Sequence, residues 1–192
     1  DAPRNAHVLL QRRIGHMSPE LFHAFHRKSL EAGGLTVADA IASGFDGIFT
    51  YRRRNEKQLE RVAQLLRLFS PELVFDSKSM SSESVGDLPF ASLTHGSQAV
   101  VLFLRALVHR PSLLILDEAF QGMSGHQVAK TRAFIDGTQS WVYEGMSDTE
   151  RAVDRTWREK VVIVAVSHYE SEWPLTCGCL LRLSQGRVIE SF

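Results

Sequence analysis

Two short segments of this chain hold residue types that handle phosphate, and their order gives them joint meaning. The first is Thr94-His95-Gly96-Ser97. A glycine at a helix start lets backbone N–H groups approach an anion with no side chain in the way, and the helix dipole adds partial positive charge there. The hydroxyls of Thr94 and Ser97 offer further donors, and His95 offers a charged one when protonated. The second segment is Leu113-Leu114-Ile115-Leu116-Asp117-Glu118, an apolar run ending in two acids, with Asp117 21 residues beyond Gly96. An acid at the C-terminal end of a buried strand faces the crevice where α/β proteins place ligands. There Asp117 can hold Mg²⁺ through water, and Glu118 can orient or deprotonate an attacking water. Each segment alone also has a plain reading: Thr94 and Gly96 as a helix N-cap, the two acids as a cap on the next helix. Joined by one helix, they point to an ATPase site.

A third group extends the pattern. His168 follows the apolar run Val161–Val166 and Ser167. If that run is a strand parallel to the first, His168 lies on the same sheet edge as Asp117 and Glu118, within reach of a terminal phosphate. A lone histidine after a strand is more often a surface or core residue, but three polar groups on one edge favour a site. His7, His16, His23, His26, His109 and His126 show no metal-like pairing and read as structural or solvated.

These residues need elements to position them. Val8-Leu9-Leu10 into Ile14 reads as a strand, with Pro19 and the polar residues to Lys28 as a loop leaving it. Thr36-Val37-Ala38-Asp39 has the spacing of a capping box, starting a short helix with Ile41 on its inner face and Gly44 at its end. From Asn55, the residues Leu59, Val62, Ala63, Leu66 and Phe69 recur at helical spacing, with Arg61 among the charged residues assigned to the surface. Ser77 to Ser84 reads as a polar loop. A second helix spans Ser97 to His109 and is closed by Pro111. The runs Leu113–Leu116 and Val161–Val166 read as strands of a parallel sheet covered on both faces, and Arg182 to Ile189, turning at Gly186, as a closing hairpin. The order describes an α/β domain with a helical insertion at residues 35 to 75.

Composition narrows the function classes. Lys plus Arg and Asp plus Glu are 22 each, so no net field draws the chain to nucleic acid, and phosphate binding must come from local geometry. The longest apolar runs are six residues, against roughly 20 needed to cross a bilayer. Cys177 and Cys179 are too close for an easy disulfide within a strand and too few for a structural zinc site, which predicts free thiols and a reducing intracellular compartment, the cytoplasm or an organelle. The opening residues Asp1 to His7 hold neither an initiator Met nor a signal-peptide core, so the chain reads as cropped from something longer.

Taken together the motifs resemble the nucleotide-binding domain of ATP-binding-cassette (ABC) ATPases, most closely soluble tandem-cassette ATPases of the molybdenum-transport and photorepair type. Leu93 to Ser97 resembles the signature loop, Leu113 to Glu118 the Walker B strand, Gln121-Gly122-Met123-Ser124 the D-loop, and Val166-Ser167-His168 the switch-histidine segment. Arg13 to Glu20 resembles the strand entering the Q-loop. The resemblance implies a P-loop NTPase-like parallel sheet flanked by helices, with a helical signature subdomain over about residues 35 to 110 and a stretch from Walker B to the hairpin over residues 111 to 192. It implies ATP and Mg²⁺ as ligands, Glu118 and His168 as catalytic residues, and Asp117 as the Mg²⁺ residue. Thr94, His95, Gly96 and Ser97 would then close on an ATP held mainly by a second cassette, either in the same polypeptide or in a homodimer.

The chain also departs from the family pattern. Position 95 carries His where Gly is usual, 97 carries Ser where Gln or Glu is common, and 124 carries Ser where Asp is usual. The usual Q-loop glutamine is replaced around Pro19 and Glu20, so Mg²⁺ sensing there is altered or supplied by Glu20. Glu118 and His168 are 50 residues apart, longer than usual, and the extra length is assigned between Gly137 and Lys160. None of the 13 glycines is followed by Lys, so the phosphate loop G-x-x-x-x-G-K-[ST] is not in these residues. The expectation is the C-terminal part of one cassette, inactive alone. The second reading is a degenerate cassette that senses nucleotide or binds a partner without turnover.

Overall fold

The computed structural model describes residues 13–31, 34–47, 53–74, 81–172, 178–184 and 187–191. Its centre is a parallel three-stranded sheet in the order β1 (Ile14–Met17), β2 (Leu113–Asp117), β3 (Val162–Val166). Ile14 pairs with Leu113, and Leu113 in turn with Val162. The mixed α/β architecture and parallel strands match the expected fold class. The expected strand is described only from Ile14 onward, since Val8 to Leu10 lie outside the described residues.

Where a loop was expected after Pro19, the chain forms helix α1 (Pro19–Glu31). Proline at the first helical position needs no N–H partner and has its φ already set. Ser18 caps the turn, accepting from the Leu21 N–H at 3.3 Å on its hydroxyl and from the Phe22 N–H at 3.0 Å on its carbonyl. Phe25 then lands fully buried against Phe90. The proline marks a start rather than a break.

Helix α2 (Val37–Ala42) begins as its sequence requires: the Asp39 N–H donates to the Thr36 hydroxyl at 3.1 Å, and that hydroxyl donates to the Asp39 carboxylate at 2.8 Å. Ile41 is fully buried, as expected. Gly44 lies in the short 3₁₀ turn that follows, where a Cβ would collide with the Arg105 carbonyl, so its role is close approach. Helix α3 (Glu56–Leu73) carries a capping box between Asn55 and Gln58. Its inner face is Val62, Leu65, Leu66, Leu68, Phe69 and Leu73, while Leu59, assigned inward by spacing, is 55% exposed. Part of the stretch expected as a polar loop forms a short helix, α4 (Ser82–Gly86); residues 77–80 are outside the described set.

Helix α5 (His95–Leu107) is buried from Gly96 to its end, on every side, as suits a helix at the centre of its layer. It packs on α2, α3 and β1, and Gly15 of β1 has no room for a Cβ beneath the Ala106 carbonyl and Pro111. Past β2 come α6 (Gly125–Asp136), a 3₁₀ turn at Ser140–Tyr143 and α7 (Asp148–Lys160), the last two lying within the stretch from Gly137 to Lys160. The C-terminal hairpin pairs β4 (Leu181–Ser184) with β5 (Arg187–Ser191); the turn expected at Gly186, like Cys177, falls outside the described residues. Strand β3 corrects one expectation. Ile163 and Ala165 pack inward, but Val162, Val164 and Val166 are about half exposed, so one face is open among the described residues. No helix among them is long and apolar enough to cross a membrane.

One charged residue of α7 is fully buried. Asp154 receives Arg110 at 3.1 Å, Arg158 at 3.0 Å and Arg61 at 3.6 Å. Arg61, assigned to the surface by helical spacing, is therefore interior, and burial together with the Arg110 charge pulls its guanidinium down to about 9. Arg158 also donates to the carbonyls of Phe134 and Ile135, and the Trp157 indole donates to the Pro111 carbonyl at 2.8 Å. Through these bonds α7 is tied to α3, α6 and the entry of β2.

Asp154→Asn should lower the unfolding free energy by about 3–5 kcal/mol, because three guanidinium groups lose their shared counter-charge. Denaturant titration measures it, and a change under about 1 kcal/mol would remove this tie from the stability account. His109, two residues past α5, gives a second prediction. Burial and the nearby Arg105 charge push its imidazole down to about 4 from the ordinary value of about 6.5. The unfolded chain thus takes a proton that the folded chain refuses. Its contribution is intact above about pH 6.5 and is lost as pH falls towards about 4, by up to roughly 3 kcal/mol. Thermal unfolding midpoints across that window should fall in the wild type and fall less in His109→Leu.

Candidate active site

The C-terminal edge of the sheet brings together three of the residues singled out in the sequence. Asp117, the last residue of β2, is in register with Val166 of β3. The Glu118 N–H then donates to the Val166 carbonyl at 2.9 Å, extending the ladder by one bond. Beyond it the chain turns sharply: Glu118 has φ 47°, a left-handed conformation that L side chains rarely adopt. This turn sends its carboxylate over the edge, where Oε1 lies 3.1 Å from Nε2 of His168. His168 is 81% exposed on its side chain and Glu118 34%, so the pair faces solvent with one partner half-sheltered. A carboxylate and an imidazole so joined can orient a water and pass a proton between them.

The segment Gln121–Ser124 follows as a tight turn. Its Gly122 has φ 81° and the Met123 N–H donates to the Phe120 carbonyl at 3.0 Å. Ser124 is the N-cap of α6, in a capping box with Gln127. The turn packs directly on the start of α5. A Cβ on Gly96 would stand 2.5 Å from the Gly122 carbonyl oxygen and 2.8 Å from Gln127 Oε1. Glycine is required at 96 by this packing, whatever it does for a ligand.

At the start of α5 the polar groups are arranged differently from expectation. Thr94 is an N-cap, accepting from the Ser97 N–H at 3.2 Å, so the plain reading left open by the sequence holds for its side chain. Its hydroxyl donates to the Ser97 hydroxyl at 3.0 Å, which donates in turn to the Glu72 carbonyl at 3.2 Å. Ser97 is 4% exposed. Its hydroxyl points into the protein, where an outward donor was expected, because the α3 C-terminus leaves a carbonyl there needing a partner. His95 is exposed, its ring tilted against that of Phe22 of α1 with centroids 4.4 Å apart, and it is set against the Gly122 backbone.

Pro19 and Glu20 open α1. The Glu20 carboxyl is held below its ordinary value by its own backbone N–H and by the Ser18 hydroxyl, which makes it a helix-start acid. Among the described residues no hydrogen bond joins it to Asp117, Glu118 or His168. Phe22, one turn on, is the α1 residue that meets the expected signature segment. Sequence reasoning also missed Glu72 and Gln127, which bind this region from behind. The spacing Ser124-x-x-Gln127 could have shown the second as a capping box, but nothing local could show Glu72. Among the described residues no group of three or more His, Cys, Asp or Glu is placed to hold a metal ion.

No profile of a known protein family matches the chain. Curated proteins do. The chain is 26% identical over 180 residues to the uncharacterized ABC transporter ATP-binding protein C323.04 of Schizosaccharomyces pombe, covering 94% of this chain and 30% of that protein. It is 36% identical over 128 residues to the ABC transporter ATP-binding protein ModF of Escherichia coli, covering 66% and 23%. It is 33% identical over 147 residues to the uncharacterized ABC transporter ATP-binding protein YmeB of Lactococcus lactis, covering 77% and 46%. The chain thus spans less than half the length of each of these relatives. Among solved structures, a nucleotide-free ATP-binding cassette from an ABC transporter shares the fold at a TM-score of 0.53 and 13% identity, over 90% of this chain and 62% of that one.

The crowding at Gly96 is directly testable. Gly96→Ala should cost about 1–3 kcal/mol of stability, because the rigid Gly122 carbonyl must move. Chemical denaturation checks this, and an alanine variant as stable as the wild type would mean that the turn yields freely.

Proposed function

We propose, from the premise that this chain's relatives are ABC transporter ATP-binding proteins and that its fold is that of an ABC ATPase cassette, that it forms part of one cassette of a two-cassette ATPase. The observation that carries the reading is the 3.1 Å contact between Glu118 and His168 beside Asp117 at the C-terminal edge of a parallel sheet. In this reading Glu118 is the base that orients and deprotonates the attacking water. The water oxygen bonds to the γ-phosphorus, the bond to the β-γ bridging oxygen breaks, and the proton goes to Glu118. His168, held by Glu118, donates to a γ-phosphate oxygen. Phosphoryl transfer needs little covalent help, so positioning and charge neutralisation supply most of the acceleration.

Asp117 fits a magnesium role on the chemistry of its surroundings. Mg²⁺ keeps several waters and takes one or two carboxylates plus substrate phosphates, so a strand-end aspartate next to Glu118 is a donor set that suits it. The ion, when bound, would neutralise phosphate charge. Pro19 and Glu20 stand where the Q-loop would be, Gln121 to Ser124 where the D-loop would be, and Thr94 to Ser97 where a signature loop would face the ATP of a second cassette. That second cassette is either elsewhere in the same polypeptide or in a homodimer. The helical part over about residues 35 to 110 then forms the signature subdomain and residues 111 to 192 the Walker B half. The grip on the β- and γ-phosphates must come from outside these residues, because no glycine here precedes a lysine. The chain alone is therefore inactive. Equal counts of basic and acidic residues support a small-nucleotide ligand over nucleic acid, and the paucity of cysteine supports a reducing intracellular compartment.

A second reading, a cassette that senses nucleotide or binds a partner without hydrolysis, draws on the inward hydroxyl of Ser97 and on Ser124 as a helix cap. Turnover separates the two. In the full-length protein Glu118→Gln should slow ATP hydrolysis by about 10²–10⁴-fold while leaving ATP affinity by equilibrium dialysis, and His168→Ala should slow it too. Equal ATPase rates in wild type and both variants would transfer the chain to the second reading.

A further inference from the structure

Gln127 takes no part in the proposed chemistry, yet it is 9% exposed and both ends of its amide are committed. Oε1 accepts from the Ser124 N–H at 2.8 Å, the back-bond of the capping box that closes the Gln121–Ser124 turn. Nε2 donates at 2.8 Å to the backbone carbonyl of Glu72, in the last turn of α3. The same carbonyl accepts from the Ser97 hydroxyl at 3.2 Å. A carbonyl has two lone pairs, and in a helix's last turn it has no intrahelical partner, so both donors are accommodated without competition. The Glu72 carboxylate adds His126 at 2.7 Å and Lys130 at 3.0 Å, fastening the end of α3 to α6 as well. Gly96 closes the arrangement against Gln127 Oε1, where a side chain has no room.

We propose that Gln127 is a positioning residue that clasps the Gln121–Ser124 turn to the Thr94–Ser97 turn through the Glu72 carbonyl, so that the two loops move as one body. This deepens the cassette reading, on which the loops' roles as D-loop and signature loop rest. In that reading one loop adjoins the water-activating Glu118 of its own nucleotide and the other faces the nucleotide of the second cassette. A displacement at one nucleotide is then carried to the other through the buried Gln127 amide, alongside the packing of Gly96 on Gly122. Coupling of this kind needs a rigid link, and the two buried bonds to the Glu72 carbonyl supply it.

Amide hydrogen exchange on the full-length protein tests the clasp without relying on turnover. Gln127→Met keeps the length and removes both donor and acceptor. Exchange should quicken about tenfold or more at Ser124 and, in step, at Ser97 and Gln98. Gln127→Glu separates the two bonds. Above the pKa of the new carboxyl it still accepts from Ser124 but cannot donate to Glu72, so Ser97 and Gln98 loosen while Ser124 stays protected. Below that pKa the acid O–H donates again, and protection relative to wild type at the same pH returns. Acceleration confined to Ser124 in Gln127→Met would overturn the proposal. So would equal protection of Ser97 at both pH values in Gln127→Glu, or a uniform acceleration that includes the buried α5 amides Val100 to Leu104. Turnover of Glu118→Gln is read separately: a wild-type rate there would remove the ATPase reading and leave the exchange result standing.

Discussion

The register between β2 and β3 is the constraint on which the candidate site depends. The register sets which residue of β3 lies beside each residue of β2, and here Asp117 meets Val166 with the Glu118 N–H donating to the Val166 carbonyl. A slip of one residue would exchange the faces of every side chain on β3 and carry His168 away from Glu118. The ladder also holds Glu118 at a positive φ, a conformation that costs on the order of 1 kcal/mol or more for a residue with a Cβ. Surrounding structure must supply that energy. It does so through the buried Leu114 and Leu116 on one side of the turn and Ala119 and Phe120 on the other.

Helix α5 ties this edge to the rest of the molecule. It is buried on all sides, so it cannot turn about its axis without breaking core contacts, and its two ends are therefore fixed relative to each other. One end carries the Thr94–Ser97 turn against Gly122. The other passes under Gly15 and Gly44, two positions where only glycine leaves room for the α5 backbone. The Asp154 tie restrains a second axis, from α3 through Arg61 to the α7 helix that leads directly into β3. The structure thus links both faces of the proposed chemistry to a common rigid layer, with buried polar bonds among the ties.

Much of this was legible in the residues themselves, and the failures share a cause. Strand β2, helix α5 and the Thr36 and Thr94 caps follow from local pattern, because each depends on neighbours within four positions. The α1 helix is not legible locally because Pro19 can either stop a helix or begin one, and only Ser18 before it and Phe22 and Phe25 after it decide. Leu59 and Arg61 were placed on the wrong faces because helical spacing gives a stripe but not its centre. Arg61 is drawn in by Asp154, far along the chain. The Ser97 bond to Glu72 was invisible for the same reason: the carbonyl that it satisfies belongs to a helix end whose position only the fold determines. The apolar run of β3 predicted burial on both faces, whereas one face stays open among the described residues, since composition alone cannot say how many neighbours a strand has.

The inward hydroxyls alter what the start of α5 could offer a phosphate under the proposed reading. Thr94 and Ser97 spend their side chains on the cap and on Glu72, and the Ser97 and Gln98 N–H groups are bonded to Thr94. Among the described residues the N–H groups of His95 and Gly96 form no such bond. Recognition there would therefore rest on two backbone amides and the helix dipole, with the exposed His95 ring beside them. Backbone donors are fixed by the helix and do not rotate, so their aim depends on how firmly the turn is seated. A loop that binds through its backbone needs its supports more than its side chains, which is why departures from the family pattern at positions 95 and 97 need not remove its anion-binding capacity, whereas loosening the bonds behind it would.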